Sequence, residues 1–323
     1  MDRIHTIVIQ DFRTLWPYAR YALRMPVAPE PEVWGTELED PHWGTVRITG
    51  HHRKQPGSSE CVLLAHGLGG SSGSYYALRG AAAVASMGMD SLAISLRGSD
   101  RLGEDFYNIA LFADLVAACG SPELAHYDRI YALGYSMGGY VTMHFARNTQ
   151  DPRVKAAVTM CTPLDLKSAQ VYIDSKRAWF YRHHCLNGLK SIYEAVAKTN
   201  PERVPSDNAR VQAVKTVWEW DDLTIAPRYG YDSPEHYYEG LTLRRHLGSF
   251  KVPTMLVASD DDPIIPPRTI RPFLDSAKNA RDHGLQVKWV SKAGHLTFPT
   301  NLDLGFGPEL GIEPQILQWF RQQ

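Results

Sequence analysis

One serine lies among closely spaced glycines, in the stretch Gly134-Tyr135-Ser136-Met137-Gly138. The preceding residues, Asp128–Leu133, have the character of a strand, and Met137–Arg147 has that of a helix. A tight turn from a strand into a helix lifts a serine hydroxyl above the sheet, and it requires small residues beside the serine. The sequence therefore predicts that Ser136 is a nucleophile.

A serine hydroxyl needs a base to remove its proton, and in this arrangement the acid and the histidine follow the serine along the chain. His295 fits best among the thirteen histidines. It follows the apolar run Val287–Val290, and Gly294 before it lets the loop bend the imidazole toward the serine. We predict that His295 is the base.

Three consecutive aspartates, Asp260, Asp261 and Asp262, follow the apolar run Thr254–Ala258 and are candidates for the acid. Asp262 is favoured because Pro263 holds the residue before it in an extended conformation. Asp261 is the second choice and Asp260 the third. The acid would fix the tautomer of the histidine and stabilise the imidazolium.

Attack on an ester produces an oxyanion, which needs two N–H donors held in place. Met137, directly after the serine, supplies one from the start of its helix. The other is predicted in the glycine-rich loop after Val62–Ala65, at Leu68, with Gly69 as the alternative. His66 is predicted to be a buried residue that orients this loop.

The glycine-rich loop has a competing interpretation as a dinucleotide site. Gly67-Leu68-Gly69 begins the G-x-G-x-x-G pattern, but Ser72 occupies the third glycine position. The next apolar run, Ser91–Leu96, continues into Arg97-Gly98 rather than ending in an acid, and no G-K-[ST] occurs. The pattern therefore argues against nucleotide binding.

Metal and nucleic-acid binding are also disfavoured. His51-His52 and His183-His184 are adjacent pairs, whose side chains diverge on any regular element. No H-E-x-x-H or cysteine-rich cluster is present. The 34 basic and 35 acidic residues leave a net charge of −1, with no broad basic field for a phosphate backbone. We predict no cofactor and no metal.

Short apolar runs of strand length alternate with helical patterns, which predicts a mostly parallel α/β sheet with helices on both faces. The predicted strands are Val46–Thr49, Val62–Ala65, Ser91–Leu96, Ile130–Leu133, Val154–Met160, Thr254–Ala258 and Val287–Val290. The predicted helices are Tyr75–Ser86, Tyr107–Cys119, Met137–Arg147 and Ile270–Ala280. Residues 164–250 lack a buried strand and are predicted to form a helical cap over the ligand-binding edge of the sheet.

The 323 residues, of which 44% are hydrophobic and 21% charged, are predicted to form one domain, residues 1–323. Residues 1–31 form an amphipathic segment and a proline-rich joint. Peripheral lipid contact through Ile4–Leu23 is an alternative, but Asp11, Arg13 and Arg20 interrupt its apolar residues and favour a packed helix. Four scattered cysteines and the lack of a signal or membrane-spanning segment predict a cytoplasmic protein.

The chain resembles the α/β-hydrolases, and specifically their YheT-like esterase/lipase branch, from about residue 60 to residue 300. The stretches that carry the resemblance are HGLGGSSGSYY (66–76), Arg97-Gly98, GYSMGGYV (134–141), EWDDLTIAPRYGY (219–231), Tyr237-Tyr238, SDDDPIIP (259–266) and AGHLTF (293–298). The resemblance implies an α/β-hydrolase fold and carries the nucleophile, acid and base onto Ser136, Asp262 and His295, in agreement with the spacing argument.

These observations together predict a serine hydrolase that cleaves a small-molecule carboxylic ester through an acyl-enzyme. Acyl transfer and thioester hydrolysis are alternatives, because the same groups serve them. A binding protein on a hydrolase-like scaffold is a further alternative, but it would be expected to lack a triad residue.

Overall fold

The computed structural model describes residues 3–23, 25–276 and 285–323. Its centre is an eight-stranded sheet in the order β1-β2-β4-β3-β5-β6-β7-β8. The strands are β1 (Glu32–Asp40), β2 (Gly44–Arg53), β3 (Glu60–Ala65), β4 (Asp90–Ser95), β5 (Arg129–Tyr135), β6 (Val154–Met160), β7 (Thr254–Ser259) and β8 (Leu285–Val290). β1 pairs with β2 and β2 with β4 antiparallel, and the other neighbouring pairs are parallel. The predicted mostly parallel sheet is confirmed.

Helices precede, separate and follow the strands. They are α1 (Arg3–Leu23), α2 (Tyr75–Ser86), α3 (Ala113–Gly120), α4 (Met137–Asn148), α5 (Leu166–Ile173), α6 (Trp179–Thr199), α7 (Asn208–Ala213), α8 (Val217–Trp220), α9 (Ala226–Arg228), α10 (Pro234–Leu241), α11 (Arg271–Ser276) and α12 (Ile312–Arg321). Short 3₁₀ turns span Pro122–Leu124, Lys176–Ala178, Pro201–Arg203 and Pro267–Thr269, and a π-helical turn spans Asp221–Ile225. Among the described residues, no helix combines the length and apolar character needed to cross a bilayer.

The central strands are apolar throughout because both faces of the sheet are covered. Val62 and Leu64 of β3 join the core under α2 and α12, whereas Leu63 between them joins the core under α3 and α4. β1 lies at the sheet edge, and its nine residues include Glu32, Glu37, Glu39 and Asp40. Acidic side chains on an exposed edge discourage pairing with another chain.

The structure contains two elements that were not predicted, β1 and α12, and it shortens one predicted helix. β1 was not predicted, because its acidic residues and Gly35 lack the apolar character of a strand and it forms by pairing with β2. The helix predicted over Tyr107–Cys119 begins only at Ala113. The Asn108 side chain accepts a hydrogen bond from the Ala110 N–H at 2.9 Å, which replaces a helical turn. Of the helix predicted over Ile270–Ala280, residues 277–280 lie outside the described residues.

Helices α5 to α10 all lie between β6 and β7, and we refer to residues 166–241 as the α5–α10 segment. Apolar residues of this segment, among them Leu189, Ile192 and Trp220, belong to the same core cluster as α3 and α4. The segment is therefore packed on the body of the protein through buried apolar contacts.

Candidate active site

Ser136 occupies the turn between β5 and α4, where β5 ends at Tyr135 and α4 begins at Met137. Its backbone has φ 54° and ψ −117°, a strained conformation for a residue with a side chain. The Ser136 N–H donates to the Met160 carbonyl at 2.8 Å, and the Ser136 carbonyl accepts from the Gly139 N–H at 3.0 Å. These bonds fix the turn between two buried elements, and they leave the side chain at the end of the sheet.

The turn is pressed against the end of β3. A Cβ on Gly138 would lie 2.2 Å from the His66 carbonyl oxygen and 2.3 Å from that of Ala65, distances that no side chain can occupy. Absence of a side chain at this position lets the start of α4 sit directly on the loop that follows β3. The glycine requirement inferred from the sequence thus has a steric cause.

The structure brings His295 together with Asp262. The His295 Nδ1 lies 2.8 Å from Asp262 Oδ2, and both side chains are buried. The other carboxylate oxygen, Oδ1, accepts from the N–H groups of Ile264 and Ile265, each at 2.8 Å. Those two bonds hold the carboxylate so that Oδ2 faces the imidazole, which fixes a proton on Nδ1 and leaves Nε2 as an acceptor.

The other two aspartates of the acid loop have different partners. Asp261 forms an ion pair with Arg13 of α1, and its N–H donates to the Ser259 hydroxyl. Asp260 pairs with Arg271 and accepts from the Ser291 hydroxyl at 2.9 Å. Neither carboxylate reaches His295 in the way Asp262 does, so only the favoured candidate faces the imidazole.

Ser136, His295, Leu68 and Met137 line one cavity of about 530 Å³. Its walls are mainly apolar and come from α1, from the loop after β3 and from the α5–α10 segment. They include Leu15, Tyr18, Tyr75, Leu166, Ile173, Phe180, Leu189, Trp220, Ile225 and Ile264. A cavity of this size and character accommodates an apolar chain beside the serine hydroxyl.

Residues 67–71 of the loop after β3 line this cavity. The Gly69 N–H donates to the Tyr107 hydroxyl at 2.8 Å and is already satisfied. Among the described residues, the Leu68 N–H has no acceptor. Met137 is the first residue of α4, so its N–H has no acceptor within the helix. The geometry is consistent with Leu68, rather than Gly69, as the second donor.

His66 anchors that loop and is uncharged near neutral pH. Its Nδ1 lies 2.7 Å from the Gly67 carbonyl oxygen, and its Nε2 accepts from the Leu96 N–H at 3.1 Å. Burial lowers the pKa of His66 to about 4. This residue ties the loop to the end of β4, as the sequence analysis expected.

Cys161 lies beside the acid–base pair, with ligand-type atoms of Cys161, Asp262 and His295 within 4.8 Å of one another. Burial raises the pKa of the Cys161 thiol well above its ordinary value, so the sulfur stays protonated. Asp262 is already engaged with His295 and with two N–H groups. The chemistry of this set is that of a hydrogen-bonded dyad beside a neutral thiol, and it does not fit a metal site, which needs free donors and a thiolate.

Two polar residues of the cavity wall, Asp221 and Gln170, were not predicted from the sequence. Burial raises the pKa of Asp221 to about 7, with a further contribution from the charge of Asp174, and Asp221 accepts from the Tyr238 hydroxyl at 2.6 Å. Gln170 also lines the cavity and donates to Asp174 at 2.6 Å, while its Oε1 has no donor among the described residues. The π-helical turn at Asp221–Ile225 places this carboxyl, and such turns often mark functional sites.

Arg228, near the end of the stretch EWDDLTIAPRYGY (219–231), has a structural role outside the cavity. Arg228 and Arg97 share the carboxylates of Asp40 and Asp105, with Arg228 Nη2 2.5 Å from Asp105 and Arg97 Nη1 2.5 Å from Asp40. Arg97 Nη2 also lies 3.1 Å from Asp114. All five residues are buried, and none of the five lines the cavity. We refer to these five residues as the buried ion cluster.

Charge pairing outweighs burial at Asp40, whereas at Asp114 burial outweighs the pairing with Arg97 and raises the pKa. Burial by itself would raise the pKa of Asp40, but a backbone hydrogen bond from His42 and the charges of Arg228 and Arg97 lower it to about 2. The cluster links β1, the end of β4, α3 and α9. It therefore fastens the α5–α10 segment to the sheet.

Comparison with known proteins agrees with this architecture. Residues 60–302 match the family described as alpha/beta hydrolase fold. The chain is 26% identical to the Escherichia coli protein named "Putative esterase YheT" over 189 residues, which are 58% of this chain and 54% of that protein. It is 22% identical to a Saccharomyces cerevisiae monoacylglycerol lipase over 144 residues, 42% of this chain and 32% of the lipase. The matched stretches thus span about half or less of these relatives' lengths.

A solved structure supports the fold independently. The Pyrococcus furiosus esterase Pf2001 superposes with a TM-score of 0.53 at 15% identity, and the match covers 84% of this chain and 89% of that chain. The predicted resemblance to YheT-like esterases is confirmed by the similarity to the E. coli protein. Because residues 60–302 match this family, and because the sheet and the tight turn between β5 and α4 agree with its fold, the chain belongs to the α/β-hydrolase fold family.

Proposed function

We propose that the protein hydrolyses carboxylic esters by way of a covalent acyl-enzyme on Ser136. The observation that carries the proposal is the His295–Asp262 hydrogen bond of 2.8 Å at the wall of the cavity that Ser136 also lines. Ser136 and His295 line the same cavity, Asp262 is hydrogen-bonded to His295, and the three follow one another along the chain in the order nucleophile, acid, base that this fold uses. The names of the relatives, esterase and lipase, support the same class of reaction.

In the proposed first step, the Ser136 Oγ attacks the ester carbonyl carbon while His295 Nε2 takes the hydroxyl proton. The carbonyl oxygen becomes an oxyanion, which accepts from the Leu68 and Met137 N–H groups. The carbon–oxygen bond to the alcohol then breaks, and the imidazolium returns its proton to the leaving oxygen. Asp262 stabilises the imidazolium and holds its orientation through Nδ1.

In the second step, a water molecule attacks the acyl carbon with His295 again as the base. The carboxylic acid is released, and Ser136 recovers its proton from His295. If an alcohol or thiol took the place of water, the same groups would carry out acyl transfer. The α5–α10 segment acts in this proposal as a cap that supplies much of the wall around the acyl chain.

The cavity favours an ester with an apolar acyl group and a neutral polar portion. Its walls are mostly aliphatic and aromatic, whereas Gln170 and Asp221, which also line it, carry acceptor oxygens. A hydroxyl group on the substrate would donate to such oxygens. Monoacylglycerols, to which the name of the yeast relative refers, carry hydroxyls of this kind, and we propose them as a test class.

The test is fluorophosphonate labelling of the purified full chain together with hydrolysis of p-nitrophenyl esters of increasing acyl length. We expect wild type to be labelled and to hydrolyse esters, and Ser136→Ala to lose labelling and on the order of 10³–10⁶ in kcat. Ser86→Ala, an exposed serine at the end of α2, is the matched control and should behave as wild type. Labelling of Ser136→Ala at the wild-type rate would overturn the proposal.

A further inference from the structure

Helix α1 lies outside the part of the chain that matches the hydrolase family, which begins at residue 60. It nevertheless contributes Thr14, Leu15 and Tyr18 to the cavity wall. Asp11 on the same helix pairs with Arg177 at 2.9 Å and accepts from the Tyr181 hydroxyl at 2.8 Å, so α1 is attached to α6 as well. Helix α1 is thus part of the wall of the candidate active site and is packed against the rest of the protein.

Three contacts connect α1 to the loops that carry the acid and the base. The His295 backbone N–H donates to Thr14 Oγ1 at 2.9 Å. The Thr297 hydroxyl donates to the Arg13 carbonyl at 2.7 Å. The Arg13 guanidinium pairs with Asp261, directly before Asp262. One turn of α1 therefore holds both loops from the same side.

The histidine loop is packed closely on α1, so the position of its backbone depends on the side chains of that helix. A Cβ on Gly294 would lie 2.6 Å from Thr14 Oγ1 and 2.7 Å from the Arg13 carbonyl carbon. The loop closes on itself through the Gly294 N–H, which donates to the Thr297 carbonyl at 2.8 Å, and Leu296 adopts a φ of 57°. The Thr14 hydroxyl is the group that satisfies the His295 N–H within this tight turn.

We propose that Thr14 is a positioning residue for the ester hydrolysis proposed above, acting through the backbone of His295. Loss of its hydroxyl would leave a buried N–H without an acceptor, and the turn would move to find one. The imidazole is carried on that turn, so it would shift relative to both Ser136 and Asp262. Displacements of about 1 Å in a catalytic group can cost on the order of 10²-fold in rate.

The test compares Thr14→Val, which keeps the shape of the side chain and removes the acceptor, with Thr14→Ser, which keeps the acceptor. We expect kcat to fall about 10- to 100-fold in Thr14→Val and to return to within about threefold of wild type in Thr14→Ser. The loss in kcat should be the same for p-nitrophenyl acetate and p-nitrophenyl octanoate, because it arises at the imidazole. A loss that grew with acyl length would mean that Thr14 acts only as cavity wall, and it would overturn the proposal.

Phe12→Ala is the control for the integrity of α1, because Phe12 is on the same helix and is 60% exposed. It should retain wild-type kcat. If Thr14→Val fails to fold, Thr14→Ala, which also removes the acceptor for the His295 N–H, is measured instead, and unchanged kcat in that variant would overturn the proposal. Its failure is distinguishable from that of the proposed function, because Ser136→Ala would still abolish labelling while Thr14→Val was labelled at the wild-type rate.

Discussion

The nucleophile half of the candidate site and its acid–base half are held in place by different means. Ser136 is fixed by its own neighbours in the chain, through a strained turn between β5 and α4 and through the close approach of Gly138 to the end of β3. His295 is fixed by hydrogen bonds from remote segments, Asp262 on one side and Thr14 on the other. One half therefore depends on backbone sterics, and the other on the arrival of partners from elsewhere.

This difference predicts how each half fails. A side chain added at a glycine of the nucleophile half would collide with backbone atoms, so such a change should lower the stability of the fold more than it lowers kcat. A hydrogen-bond partner removed from the acid–base half should leave the fold largely intact, so such a change should lower kcat more than it lowers stability. The following predictions are ordered by the size of the expected effect, and each could contradict this contrast.

The largest effect is expected in the acid–base half. Asp262→Asn should keep the fold but leave His295 in the wrong tautomer, at a cost on the order of 10⁴ in kcat. Asp260→Asn should cost little, because its partners Arg271 and Ser291 lie outside the proposed mechanism. The three kcat values are measured with circular dichroism as the check on folding.

Asp261→Asn is the intermediate member of that series. It removes the ion pair with Arg13 and should cause a modest loss in kcat. A large loss in Asp261→Asn with a nearly silent Asp262→Asn, both folded, would show that the acid is assigned one residue too late. It would also remove the proposed link between Asp262 and the imidazole.

The next effect is expected in the nucleophile half. Gly138→Ala would place a methyl group 2.2 Å from the His66 carbonyl oxygen and should lower the free energy of unfolding by about 3 kcal/mol or more. Gly120→Ala is the control, since nothing lies within 4 Å of its Cβ position, and it should change stability by less than about 1 kcal/mol. Urea unfolding compares the two. A fully stable, inactive Gly138→Ala protein would contradict the steric account.

The smallest effect concerns a carboxyl that belongs to neither half. Burial raises the pKa of Asp221 from 3.8 to about 7, so the folded state holds this proton more tightly than the unfolded state does. Its stabilising contribution is therefore present at low pH and is lost as the pH rises toward 7, by up to about 1.4 kcal/mol per pH unit. Asp221→Asn keeps an acceptor for the Tyr238 hydroxyl and should remove this slope.

The measurement is the difference in unfolding free energy between wild type and Asp221→Asn at pH 5 and at pH 7.5. Wild type should lose stability relative to the variant over this interval. Equal differences at the two pH values would mean that Asp221 is ionised throughout, despite its burial. The kcat of each variant for the p-nitrophenyl esters tells whether this carboxyl also contacts substrate.

The same contrast explains what the sequence could and could not predict. The turn at Ser136 can be predicted from the sequence because its cause is local: small residues, a strand before it and a helix after it. Asp262 was favoured over its neighbours on the strength of Pro263, and it is the one that faces His295. The buried runs of β3 to β7 were recognised because strands covered on both faces are apolar throughout.

What sequence reasoning missed depends on contacts between distant segments. Thr14 and His295 are 281 positions apart, and no pattern in the sequence around either residue predicts that they are in contact. β1 is acidic and forms only because β2 pairs with it, while the loop before α3 is held by Asn108 and by the buried ion cluster. Gln170 and Asp221 face the cavity because of how α5 and the π-helical turn pack, which spacing alone does not specify.

The buried ion cluster has a consequence for how the molecule comes apart. Two guanidinium groups pair with three carboxylates, and these pairs form only while β1, the end of β4, α3 and α9 are all in place. Detaching the α5–α10 segment would separate Arg228 from Asp40 and Asp105, and breaking a buried ion pair is strongly destabilising. We therefore expect local opening of this segment to be coupled to global unfolding, so that the sheet and the α5–α10 segment unfold as one cooperative unit.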